Sequence, residues 1–388
     1  MSHTIDRIDG IATHYGFQIM RAPTTVHIDG EIFLRPEEKI PVLKNYLRDK
    51  IYQPGKVSML YHNQAILTNN RLRKKNSAQF QNFNFDILGV PNSIAEATII
   101  HTATIALNAE GYQNIVVDIN SIGDKNSLLN FKEELFNYYR SQIQDAHPKC
   151  SNFCKTNILD WFSCSHSECQ ALRATAPKPI YFLSNQSQRH LKEILEYLES
   201  MQIAYRINET LVSPSNYFSK IIFEIKSEKN VAGQNAPNSH GANGQGEILL
   251  GRGGRYDELA EKIIRKKIMP AVGISLGFER IKNKDVKSVP CCSPKFYFIH
   301  LGLEAKLKSL PIIELLRSAN FSVQQNLYTN KFSEQMENAK KSGAPYTIIL
   351  GQKEATENKV IVKDMRQITH TTLKLDFLLN YLKTLDTD

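Results

Sequence analysis

The sequence predicts an α+β protein: an antiparallel-sheet core, a helical Cys-rich insertion within it, and a small α/β layer domain at the C-terminal end. Three observations lead there. Two strand patterns flank a basic turn between residues 57 and 90, the pattern of a hairpin. A central stretch is studded with glycine, Gly251-Arg252-Gly253-Gly254-Arg255-Tyr256-Asp257 and then Pro270-Ala271-Val272-Gly273-Ile274-Ser275-Leu276-Gly277-Phe278-Glu279-Arg280-Ile281. Such glycines remove side chains where another backbone or a ligand comes close. From residue 296 onward strand and helix patterns alternate, which describes a layered α/β module.

The 388 residues suffice for two or three domains, and 41% hydrophobic with 22% charged residues is an ordinary globular balance. A net charge of +9 with a pI near 9.0 points to a polyanionic partner, nucleic acid being the commonest. No apolar run reaches the roughly 18 residues of a membrane span. The opening MSHTIDRIDG lacks the charged-then-apolar pattern of a secretory signal. A soluble cytoplasmic protein is expected, with its six cysteines reduced.

In chain order, Ile5, Ile8, Ile11, Ala12 and Tyr15 give residues 4–16 a helical spacing, ended by Gly16. Phe17 to Ala22 reads as a strand stopped by Pro23. The segment Ile32-Phe33-Leu34-Arg35-Pro36-Glu37-Glu38-Lys39 follows. Strand Ser58 to Leu67 leads through a basic loop holding Arg71, Arg73, Lys74 and Lys75 into a second strand, Ser77 to Leu88. Such a loop suits nucleic-acid phosphates held by charge; a solvated hairpin tip is the alternative. Residues 93–111 are predicted helical, Asn114 to Ile119 a strand, and 125–145 helical through Leu128, Leu129, Phe131, Leu135, Phe136 and Tyr139.

The insertion, residues 125–178, contains His147-x2-Cys150 and Cys164-x4-Cys169, with Cys154 between the pairs and His166 inside the second. Two ligand pairs separated by a loop of about a dozen residues are how structural zinc sites are built. A Cys3His site of His147, Cys150, Cys164 and Cys169 is expected, with Cys154 as the substitute ligand. Four buried thiols without metal are the alternative.

Ile180 to Phe182 reads as a strand, Gln188 to Ser200 as a helix, and Ile203 to Tyr205 as a strand. Residues 230–245 have almost no core-forming side chains and read as a mobile hairpin loop. The glycine stretch reads as strand, glycine turn, short helix, then a second helix carrying Gly273 and Gly277 on one face. Residues 284–294 form a linker. The last domain, 295–388, alternates: strand Phe296–His300, helix Ala305–Ser318, strand Ser322–Gln325, helix Ser333–Lys341, strands Tyr346–Leu350 and Lys359–Lys363, helix Leu373–Leu385. The core is then 1–124 and 179–283.

These phrases together resemble the histidyl-tRNA synthetases, a class II aminoacyl-tRNA synthetase family. GGRYD and PAVGISLGFER are similar to its third signature motif, the hairpin at 57–90 to its second, and the helix, strand and proline at the start to its first. Ile348 to Glu354 and Val360 to Arg366 resemble its anticodon-binding domain. The resemblance implies a homodimer that binds tRNA and ATP. It also implies roles. Glu37 falls where the family's Glu meets the substrate amino group, with Lys39 where a Thr belongs. Asn82 and Asp86 are shortened forms of the Gln and Glu that read the histidine side chain. Tyr217 remains from the histidine-specific signature, and Phe80 with Arg280 from the adenine sandwich.

Other positions depart from the pattern. Thr68 stands where an Arg grips the ATP α-phosphate, Asn70 where a Glu belongs, and Ser213 where the activating Arg belongs. An in-line displacement at phosphorus needs fixed cations, and removing one such group costs about 100- to 1000-fold. The expectation is therefore a degenerate paralogue: a pseudoenzyme, defective in aminoacylation, with weak or absent ATP binding, acting as a homodimeric tRNA-binding or regulatory protein that partners an intact synthetase or another enzyme. A divergent but active histidine–tRNA ligase is the second possibility. A regulatory subunit like that of ATP phosphoribosyltransferase is the third.

Overall fold

The computed structural model describes residues 7–20, 36–48, 57–65, 80–148, 150, 157–164, 166–212, 218–228, 246–265, 269–279, 295–326, 328–367 and 369–386. In chain order the elements are α1 (Arg7–His14), β1 (Gln18–Ile19), α2 (Pro36–Arg48), β2 (Ser58–Ala65), β3 (Phe80–Leu88), α3 (Ile94–Ala109), β4 (Val116–Gly123), α4 (Lys125–Ser141), α5 (Ser167–Thr175), α6 (Asn185–Ser200), β5 (Tyr205–Ile207), β6 (Ser219–Glu228), β7 (Glu247–Arg255), α7 (Asp257–Ile264) and β8 (Ala271–Glu279). They continue with β9 (Phe296–His300), α8 (Leu303–Ser318), β10 (Val323–Gln325), α9 (Phe332–Ser342), β11 (Tyr346–Leu350), α10 (Gln352–Thr356), β12 (Lys359–Asp364), β13 (His370–Lys374) and α11 (Leu378–Asp386). The chain divides into two compact units. One gathers Met1–Ile19, Glu196–Gln202 and Asn283–Asp388; the other gathers Met20–Leu195 and Ile203–Lys282.

The larger unit is built on a sheet in which the strands run β2-β3-β8-β7-β6-β4-β5, antiparallel except for the parallel pair β4–β5. Strand β3 shows why. Its sequence Asn82-Phe83-Asn84-Phe85-Asp86-Ile87 alternates strictly, so one face is aromatic and the other polar. On the apolar face Phe83 stacks on Phe278 with ring centroids 5.4 Å apart, and Tyr61 lies over Phe83 and Phe85. Helix α3, buried along nearly its whole length, covers that side. The polar face is buried as well, and the site lies there.

Two predicted elements of the glycine stretch are corrected. Residues 251–254 make no turn: they continue strand β7 straight through its glycines. A Cβ on Gly253 would come within 2.6 Å of the Gly273 carbonyl oxygen, and one on Gly254 within 2.5 Å of the Ile221 carbonyl oxygen. The glycines are there for close strand approach, not for bending. The predicted helix at 270–281 is strand β8 over the residues described. A four-residue glycine spacing keeps one face on a helix and on a strand alike, but Val272, Ile274, Leu276 and Phe278 alternate with period two.

Elsewhere Ile180 to Phe182 lies in a 3-10 turn (Pro179–Phe182) and not a strand, and the helix expected from Leu373 starts as strand β13 before α11. The smaller unit carries a five-stranded sheet in the order β10-β9-β11-β12-β13, parallel across β10, β9 and β11 and antiparallel beyond. Within the same unit α1 docks on α8 through Tyr15, whose hydroxyl donates to Glu314 at 2.5 Å. Among the described residues no helix is long and apolar enough to cross a membrane.

Candidate functional site

The polar face of the large sheet gathers one row of side chains across seven strands in register: His62, Asn84, Ser275, Arg252, Glu224, Asp118 and Arg206. Two residues along β3 from Asn84 lie Asn82 and Asp86, on the same face. Opposite them on β8 are Gly277 and Gly273. A Cβ on Gly273 would fall 2.0 Å from the Asp86 carboxylate, so glycine there makes the space the carboxylate fills.

Asp86 is fully buried. The Lys39 ammonium donates to its Oδ1 at 2.6 Å, and the Tyr256 hydroxyl donates to the same oxygen at 2.6 Å. Lys39 reaches it from α2. Pro36 opens that helix at the position where a missing N–H costs nothing. Lys39, Val42, Leu43 and Tyr46 then follow at spacings of three, four and seven, all with 2% exposure or less. The lysine sits on the helix's inward stripe, which forces its charge inside. Its Nζ also lies 5.5 Å from the Tyr256 ring centroid, within cation–π range.

Around this pair the hydrogen-bonding capacity is incompletely used. Asn84 donates to Asn82 Oδ1 at 2.5 Å, and Ser275 donates to the same oxygen at 3.3 Å. Asp86 Oδ2, Asn84 Oδ1 and both ring nitrogens of His62 are buried without a partner among the described residues. Burial lowers the His62 pKa to about 4; Asp86 pulls it up and Lys39 pushes it down. His62 is therefore neutral at physiological pH.

Further along the face the charges pair among themselves. Arg252 donates to Glu224 at 2.9 Å, Lys226 to Asp118 at 2.6 Å, and Arg206 to Asp118 at 2.7 Å. A separate cluster clamps the strands to the helices. Arg255 grips Glu96 through two bonds of 2.8 and 2.7 Å, and His190 contacts the same carboxylate at 2.7 Å. Burial opposes the charge on Glu96, but Arg255 and His190 overcome it and hold its pKa at about 2.

The second cluster is in the insertion. Cys150, Cys164 and Cys169 are buried, and their sulfurs lie within 4.8 Å of one another. Cys150 and Cys164 are 3.2 Å apart, and His166 Nδ1 lies 3.0 Å from Cys164 and 3.4 Å from Cys150. His147 stacks on the His166 ring at 3.7 Å and also has a ring nitrogen within 4.8 Å of Cys150 and His166. The backbone is fixed around the thiols. Tyr139 donates to the Cys150 carbonyl at 2.6 Å, and Arg173 donates to the Cys164 and Phe162 carbonyls. Zinc–sulfur bonds of about 2.3 Å around a tetrahedral ion need ligand atoms at such separations, so this donor set fits zinc.

Of the sequence-derived candidates, Asn82 and Asp86 share one face, and Cys150, Cys164 and Cys169 converge, while His147 groups with Cys150 and His166. Glu37 and Phe80 lie on described backbone in α2 and β3, but their side chains fall outside the described residues. So do Thr68, Asn70, Arg71, Arg73, Lys74, Lys75, Cys154, Ser213, Tyr217, Arg280 and the loop at 230–245. Sequence reading passed over His62, Ser275, Tyr256 and the ionic role of Lys39. The inward stripe of α2 was the available signal for Lys39.

The Anticodon binding domain family matches residues 300–385. The histidine–tRNA ligase of Rippkaea orientalis is 28% identical over 329 residues, 84% of this chain and 73% of that one. The chloroplastic histidine–tRNA ligase of Gracilaria tenuistipitata is 29% identical over 346 residues, 89% of this chain and 79% of that one. The crystal structure of apo S. aureus histidyl-tRNA synthetase covers 97% of this chain, with 93% of its own length aligned, a TM-score of 0.52 and 22% identity. The fold is thus that of a class II synthetase core with an anticodon-binding domain.

Proposed function

We propose that this histidyl-tRNA synthetase-like chain does not activate histidine and instead acts as a cytoplasmic, homodimeric tRNA-binding or regulatory protein. One observation carries the reading. Asp86, which by resemblance would read the substrate side chain, already holds the ammonium of Lys39 at 2.6 Å in a fully buried ion pair. Two sequence facts point the same way: Thr68 and Ser213 stand where the family places phosphate-binding arginines. The net charge of +9 and the anticodon-binding domain support a retained affinity for tRNA. Zinc, held by Cys150, Cys164 and Cys169 with His166 or His147, would supply structure to the insertion and no chemistry.

The names of the relatives favour a second reading, a divergent but working ligase. A charging assay with tRNA and labelled histidine, run beside an electrophoretic shift of the same tRNA, separates the two. Binding without charging supports the first reading. Charging supports the second, and neither binding nor charging removes tRNA from both.

A further inference from the structure

The Asp86 surroundings have the make-up of a cation site. A fully buried carboxylate presents Oδ1 to two donors, Lys39 Nζ and the Tyr256 hydroxyl, both at 2.6 Å. The Tyr256 ring offers its π face 5.5 Å from the ammonium. Gly273 supplies the room: a Cβ there would fall 2.0 Å from Asp86 Oδ1, so the carboxylate would have to shift. The remaining Oδ2 is buried and unpartnered among the described residues, as is Asn84 Oδ1 on the same strand face. Carboxylate, carbonyl oxygen and aromatic face are the groups that recognise an organic cation bearing N–H bonds.

We propose that Lys39 is a tethered occupant of this site, and that a free alkylammonium or imidazolium enters only when that ammonium is removed. The proposal deepens the non-activating reading and rests on it: the pocket is closed by the chain's own side chain. A tethered ammonium competes at a high effective concentration, so a free cation of similar intrinsic affinity is displaced. Lys39 is then the residue that sets what the pocket accepts. It is positioned by the α2 stripe that also buries Val42, Leu43 and Tyr46.

The test uses the full chain and two probes, ethylammonium chloride and imidazole at pH 6, with tetramethylammonium as a cation lacking N–H donors. Lys39→Ala is expected to gain about 3 °C in Tm at probe concentrations of about ten times Kd. Wild type and the Lys39→Ala/Asp86→Asn double variant should not move, and tetramethylammonium should move none of them. An equal shift in wild type, or no shift in a folded Lys39→Ala, overturns the proposal. Acetylation of the wild-type chain tests it without any variant. Mass mapping should find Lys39 protected relative to exposed Lys341; equal labelling overturns the buried pairing. Should wild type activate histidine, the reading above fails whatever Lys39→Ala does. Should it not, and Lys39→Ala ignore both probes, this inference alone fails.

Discussion

Lys39 and Asp86 meet at 2.6 Å with side chains 3% and 0% exposed, the most enclosed lysine–carboxylate pair among the described residues. Taking both charges out of water is costly, and their attraction offsets that only while both are present. Lys39→Met or Asp86→Leu alone should therefore destabilise by about 3–5 kcal/mol, and the double variant by much less than the sum. Urea unfolding of the four proteins measures the coupling. Additive losses would show that the two side chains do not interact.

Among the described residues Arg255 and Glu96 make the other fully buried pair. Glu96 has a pKa of about 2, well below the carboxylate range of an unfolded chain. A depressed carboxylate stabilises fully above its unfolded pKa, and that stability is lost as pH falls toward the folded value. The pair should thus contribute undiminished from neutrality down to pH 4.5 and fade between 4.5 and 2. Glu96→Gln should lower stability by about 3 kcal/mol at pH 7 and flatten the acid limb below 4.5. An unchanged acid limb would remove Glu96 from the account.

His62 works in a different window. Burial lowers its pKa to about 4, so below 6.5 the unfolded chain binds a proton that the folded chain refuses. Stability should fall as pH drops from 6.5 to 4, by on the order of 3 kcal/mol from this residue. His14 and His300 are held near 4 by burial too, so the limb should be steep. Tm against pH for wild type and His62→Phe checks it; parallel curves would contradict the assignment.

Zinc should appear at one ion per chain by elemental analysis of protein purified without chelator. Cys164→Ser should abolish it. His166 Nδ1 lies 3.0 Å from Cys164, so His166→Ala should cost more zinc affinity than His147→Ala. The reverse order would assign the fourth ligand to His147, and no metal in wild type would leave a cluster of reduced thiols.

Much of this was legible in the residues. The alternation of β3 marks an aromatic and a polar face, and the cysteine spacing alone groups Cys150, Cys164 and Cys169, which the fold brings together. The glycine stretch misled, because a spacing of four satisfies both helix and strand periods and only the period-two Val272, Ile274, Leu276 and Phe278 decides. Lys39 was visible as a departure from a family pattern, but its ion pair was not. A lysine reads as solvated until the helix stripe that buries it has been drawn.

The central claim is that the chain does not form an adenylate, and histidine-dependent ATP–pyrophosphate exchange tests it most directly. The account predicts no exchange above the no-histidine background, in wild type and also in Lys39→Thr, since Thr68 and Ser213 still offer no fixed cation to the phosphates. Histidine-dependent turnover by the wild-type chain would contradict it.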